Sequence, residues 1–140
     1  MKKILVCLDT SPRAPRVLAT AIDLARSTSA RLTLFRSVSV PPELVEKDVF
    51  GLAPGALRER MLASAKEGLM RYRADVPTEL LEAVEVKIGS PWEAICVEAK
   101  KIDADLIILG SHGYGVLDRI LGTTAARVVN HAECSVMVVR

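Results

Sequence analysis

Basic residues barely outnumber acidic ones in this chain, 19 against 17. So small a surplus excludes the strongly basic footprint with which nucleic-acid-binding domains hold a phosphate backbone. No apolar run approaches the length needed to cross a bilayer. The opening Met1-Lys-Lys-Ile-Leu-Val-Cys7 runs straight into Asp9, without the apolar stretch and small-residue cleavage site of a secretory leader. The expectation is a cytoplasmic protein with no membrane attachment and no nucleic-acid partner. Cysteine is scarce as well: Cys7, Cys96 and Cys134 are odd in number and lie in apolar surroundings, which favours buried thiols over a disulfide or redox pair. With only His112 and His131 as imidazoles and no close cysteine pair, no metal site is expected. The Gly-x-x-x-x-Gly-Lys-Ser/Thr phosphate loop is missing, and the glycines do not follow the first strand as a dinucleotide fingerprint requires.

What is present is an ordinary globular composition, 50% hydrophobic and 26% charged over 140 residues. That length fits one domain, residues 1–140, burying roughly two thirds of its unfolded surface. Strand and helix patterns alternate throughout. Residues 3–8 are nearly continuously apolar, as in a central parallel strand, and residues 13–27 repeat Val17, Leu18, Ala21, Leu24 and Ala25 at helical spacing. Arg31–Val38 reads as a second strand. Pro41, Pro42, Gly51, Pro54 and Gly55 then break the segment 39–55 before a helix over residues 56–72, whose inner face carries Leu57, Met61, Ala65 and Leu69. Val84, Val86 and Ile88 alternate with Glu85 and Lys87, as in an edge strand with one wet face. Trp92, Ile95, Cys96, Ala99 and Ile102 form one buried helical stripe after Pro91, residues 105–109 form a fourth strand, and Ser135–Val139 a fifth. Five strands separated by helices predict a three-layer α/β sandwich, because right-handed crossovers cover both faces of a parallel sheet.

The fourth strand runs into Gly110-Ser-His-Gly113, and Gly122-Thr-Thr124 precedes a helix over residues 125–130. At the C-terminal rim of a parallel sheet, glycines admit a ligand close to the backbone. Thr123 and Thr124 can cap the helix, whose unpaired N-terminal amides and dipole favour an anion. The pattern therefore reads as a phosphate cradle, although the same residues also suit a plain tight loop and helix cap. Asp9 has two roles open to it, ordering ribose hydroxyls or a phosphate-bound magnesium, or closing a turn with Thr10, Ser11 and Pro12. His112 can reach a phosphate through its ring or its amide, and Arg119 can close over phosphates or pair with Asp118. His131 suits a helix C-terminus, Arg13 and Arg16 the wet face of the first helix, and Trp92 the core.

The chain resembles the universal stress protein family through Lys3-Ile-Leu-Val-Cys-Leu-Asp9-Thr-Ser11, Gly110-Ser-His-Gly113, Gly122-Thr-Thr124 and Cys134-Ser-Val-Met-Val-Val139. The resemblance implies a five-stranded parallel sheet of order 3-2-1-4-5, of the adenine nucleotide alpha hydrolase-like type. It also implies a cytoplasmic homodimer, and either an ATP-binding or a non-binding branch. In the binding branch the residue matched by Asp9 lies beside the nucleoside, and those matched by Gly110, Gly113, Gly122 and Thr123 embrace the ribose and phosphates; His112 and Thr124, read from their places in the loop and helix start, join them as candidate binding residues. Two departures stand out. Eight residues, 114–121, separate Gly113 from Gly122 where the family has nine, and Arg36-Ser37 replaces a common His-Val, so Ser37 gives the adenine a smaller and more polar wall.

The expected activity is nucleotide-dependent sensing or regulation with ATP, with or without magnesium, and with an unidentified protein partner. The alternative is a nucleotide-free scaffold of the same fold. No lysine or base suited to rapid phosphoryl transfer is recognisable, so at most weak ATP hydrolysis and no catalytic residue are expected. The uncharged strand Ser135–Val139, if it lies at a sheet edge, predicts a homodimer through that strand.

Overall fold

The computed structural model describes residues 1–40, 55–111 and 121–140. Its elements are β1 (Lys3–Cys7), α1 (Ala14–Thr28), β2 (Arg31–Val38), α2 (Ala56–Arg73), β3 (Leu81–Ile88), α3 (Pro91–Lys101), β4 (Leu106–Gly110), α4 (Thr123–His131) and β5 (Ser135–Val139), with a short 3-10 turn at Thr78–Leu80. All four strand pairings are parallel and the sheet order is β3-β2-β1-β4-β5, the expected arrangement.

The apolar runs sit in the middle of the sheet because both of its faces are covered. On one face Ile4, Val6, Leu8, Leu32, Leu34 and Ile108 pack against Val17, Leu18 and Ala21 of α1 and Leu69 of α2. On the other, Leu5, Phe35, Ile107 and Leu109 meet Ile95 and Ala99 of α3 and Ala125 and Val128 of α4. The α2 helix is the most weakly seated: of Leu57, Met61, Ala65 and Leu69, only Leu69 is buried.

At the N-terminal end of the sheet, Asp105 joins two strands. Its Oδ2 accepts hydrogen bonds from the backbone N–H groups of Lys2 (2.7 Å) and Lys3 (2.9 Å). These bonds hold the carboxyl below its usual pKa. A group whose folded pKa is depressed stabilises the fold above its unfolded pKa, and that contribution disappears as pH falls through the folded value. Asp105→Asn should therefore lower the unfolding midpoint at neutral pH, and the gap from wild type should narrow as acidification takes the pH below the ordinary carboxylate range and through the depressed pKa of Asp105. A gap independent of pH would show that the charge is irrelevant to this junction.

Candidate functional site

The chain winds in opposite directions from β1 and from β4, so their C-terminal ends border the crevice at which open parallel sheets receive ligands. Val6 lies opposite Ile108, which brings Leu8 and Asp9 out of the sheet beside Gly110 and Ser111.

Beyond β1, the Leu8 N–H bonds to the Phe35 carbonyl at 2.9 Å. The chain then turns: Asp9 Oδ1 accepts the Ser11 N–H at 2.9 Å, and Ser11 Oγ accepts the Arg13 N–H at 3.3 Å. Asp9 is exposed, and this local turn engages one of its oxygens. Neither Thr10 nor Ser11 is the N-cap of α1; Arg13 occupies that position without a side-chain cap bond. Arg13 also departs from the expected wet face. It is half-buried, and its Cβ would lie 3.8 Å from a Cβ placed on Gly110, with Val17 Cγ2 at 3.6 Å. Gly110 thus has room for a methyl group on the α1 side and takes no left-handed conformation.

The two chain segments that flank residues 112–120 meet at one point. The Gly122 N–H donates to the Ser111 carbonyl at 2.6 Å, and the Ser111 N–H to the Val139 carbonyl at 2.9 Å. The N-terminus of α4 is thereby fastened to the end of β4. Contrary to the expected capping role, Thr123 and Thr124 are the first two residues of the helix; Gly122 is its N-cap, with φ −62°, ψ 159° and no side-chain cap bond. The helix starts earlier because Gly122 has the extended geometry of a cap and its carbonyl already accepts the Ala126 N–H at 2.9 Å. The amides of Thr123, Thr124 and Ala125 consequently lack intrahelical acceptors.

Ser37 is half-buried at the same rim, on the α3 side of β2, as its alternation with Phe35 dictates. The rim therefore brings together Asp9, Ser37, Gly110, Gly122, Thr123 and Thr124. His112, Gly113 and Arg119 lie outside the described residues, as does most of the intervals 114–121 and 39–55.

Ser111 was not singled out from sequence. It is fully buried, and its Oγ has no hydrogen-bond partner among the described residues. Extending the alternation of Ile107 and Leu109 by two residues would have placed it on the same face. An unpaired buried hydroxyl is costly, which makes it a natural partner for a polar ligand atom. Among the described residues, no three His, Cys, Asp or Glu side chains are grouped to hold a metal.

Trp92 does not offer a free stacking surface. Its ring lies 4.5 Å from that of His131, tilted by 39°, and Arg127 sits 5.8 Å from its centroid. His131 Nδ1 is 2.8 Å from the Arg127 carbonyl, which can only accept, so Nδ1 carries the proton and the ring caps α4. The three cysteines are half-buried rather than fully buried, and burial raises the pKa of each thiol, that of Cys7 most of all. Thiolate chemistry is thereby disfavoured.

Such a doubly wound parallel sheet, with a helix N-terminus fastened at its switch point, places the chain in the class of open α/β folds that receive ligands at that point. The sequence matches the universal stress protein family over residues 1–140, and the chain belongs to that family. It is 32% identical to a universal stress protein of Synechocystis over 149 aligned positions, covering 99% of this chain and 97% of that protein. The solved universal stress protein UspA of Lactobacillus plantarum is 30% identical, with a TM-score of 0.77, covering 99% of this chain and 97% of the other. A universal stress protein of Archaeoglobus fulgidus, solved in complex with dAMP, shares the fold at 23% identity and a TM-score of 0.60, covering 100% of this chain and 98% of its own. Among the described residues, no helix is long and apolar enough to cross a membrane.

Proposed function

We propose that this chain binds an adenine nucleotide, ATP in the first instance, at the β1–β4 rim and acts as a cytoplasmic nucleotide-dependent regulator. The observation that carries the reading is the 2.6 Å bond from the Gly122 N–H to the Ser111 carbonyl, which fastens the N-terminus of α4 to buried Ser111 at the end of β4. Anionic phosphates suit the amides of that terminus and the positive end of the helix dipole, while Asp9 and Ser37 supply polar atoms for a nucleoside. Magnesium, where it takes part, would arrive with the phosphates. The dAMP complex of the Archaeoglobus protein supports an adenine nucleotide as the ligand class.

The reading includes a homodimer through β5. Its N–H and C=O groups at Val136 and Val138 face away from β4, because the Val139 carbonyl faces toward it and directions alternate along a strand. The opposite edge is blunted: Lys66 Nζ donates to the Val84 carbonyl of β3 at 2.6 Å.

Protein purified without added nucleotide and examined by native mass spectrometry should release an adenine nucleotide, or acquire one when ATP is added. Phosphate release under ATP-bound conditions should remain near background, well below an ordinary enzymatic turnover of about 1–10 per second. Sustained release at that rate would replace the regulator reading with an enzyme. A nucleotide-free scaffold is the second reading, favoured by the engagement of Asp9 Oδ1 with the Ser11 N–H. Absence of any adenine-nucleotide binding would select it.

A further inference from the structure

We propose that Arg36 is a positioning residue for the Asp9 corner of the rim, and that it is seated in a notch that a glycine at position 68 of α2 leaves open. Arg36 is half-buried on β2 and alternates with Leu34, so it lies on the α1–α2 face rather than on the Ser37 side. Its Nε donates to the Leu8 carbonyl at 2.7 Å and its Nη2 to the Asp9 carbonyl at 3.1 Å. These two carbonyls belong to the stretch in which the chain leaves β1 for the Asp9–Ser11 turn. One planar guanidinium thus fixes the backbone on which the Asp9 carboxylate is mounted, a task that its rigid fork of donors suits and a single ammonium does not.

The third nitrogen accounts for a glycine inside a helix. A Cβ at Gly68 would lie 2.7 Å from Arg36 Nη1 and 3.7 Å from its Cζ. An arginine tip can ordinarily move aside, but Nε and Nη2 of this one are already committed to the rim carbonyls, so moving Nη1 breaks those bonds. Glycine in a helix interior costs about 1 kcal/mol relative to alanine. The sequence therefore carries an unfavourable residue at the one place in α2 where Arg36 needs the space. The position of α2 and the geometry of the ligand rim are linked through this side chain.

The effect on ligand rests on the nucleotide reading above, whereas the contact itself stands without it, and the experiment separates the two. Gly68→Ala is expected to lower the unfolding midpoint when Arg36 is present. In the Arg36→Met background it should raise the midpoint by about 2–4 °C, as helix propensity alone dictates. An equal rise in both backgrounds would overturn the contact. If Arg36→Met fails to fold, Arg36→Lys serves as the background, and the same reversal of sign is expected because lysine cannot bridge both carbonyls.

Positioning is read from the Ser11 amide proton, whose hydrogen bond to Asp9 Oδ1 should weaken in Arg36→Met while the far end of the sheet is unchanged in amide spectra. ATP affinity should fall by roughly tenfold or more in Arg36→Met and remain at the wild-type value in Arg16→Met, which removes an equal but exposed charge. A reversed midpoint with an unmoved Ser11 amide, or with unaltered ATP affinity, would overturn the positioning role. If the wild-type protein binds no ATP, the nucleotide reading falls, and the midpoint reversal with the Ser11 signal alone decides this proposal.

Discussion

Gly122→Asp is expected to leave the protein at least as stable as wild type and to lose ATP. Gly122 occupies the N-cap of α4 at φ −62° and ψ 159°, a conformation open to any L residue. Aspartate is among the best N-cap residues, and glycine is a few tenths of a kcal/mol poorer. Its carboxylate would accept from the amide of Thr124 or Ala125 and would complement the helix dipole. Those amides are the donors proposed for the phosphates, so the substitution both occupies them and sets a negative charge against the ligand. Loss of charged hydrogen bonds together with the added repulsion amounts to about 3 kcal/mol, roughly a hundredfold in affinity. Titration calorimetry and thermal unfolding of the same preparations check both halves. Undiminished ATP affinity in a folded Gly122→Asp protein would remove the α4 N-terminus from the site.

Val138→Pro should convert a homodimer into a folded monomer. Proline within a strand ordinarily removes a ladder hydrogen bond, but the Val138 amide points to the open edge, while its neighbours in the β4 ladder are Met137 and Val139. The substitution therefore strikes pairing between protomers and spares pairing within one. Val138→Lys tests the same edge without restricting the backbone, by placing a charge on a strand that has none. In sedimentation experiments the wild-type protein should be dimeric at micromolar concentration, and both variants should be monomeric with native circular dichroism. A monomeric wild type would end the dimer proposal. A dimer unaffected by either substitution would move the interface elsewhere.

Much of the fold was legible because apolar periodicity is local. β2 and β5 have the bounds their patterns predict, and α3 opens at Pro91 as expected. The start of β1, the start of α2 and the end of β3 also match, while the other strand and helix ends moved by one to three residues, since final turns and ladder ends depend on partners that a sequence does not display. The start of α4 is the consequential case. Two threonines before an apolar helix read as caps, but the bond between Gly122 and Ser111 holds the chain so that the glycine takes the cap and the threonines enter the first turn.

For the site, sequence placed Asp9 after β1 and glycines around the β4–α4 junction, and the structure sets these residues at one rim; the same residue types also serve turns and caps, so the sequence left both roles open. It did not reveal Ser111, which is buried only because the chain continues the β4 alternation past Gly110 and pairs with Val139. Nor did it reveal Arg13 beside Gly110, or the contact between Arg36 and Gly68, residues 32 positions apart. By itself the sequence determined the alternation of strands and helices, the near-neutral surface and the polar residues of the rim, since each follows from side-chain chemistry at short range. Tertiary structure alone decided which amides stand at the N-terminus of α4, which carbonyls Arg36 holds and which strands lie at the edges of the sheet, because these depend on long-range contacts between segments remote in the chain.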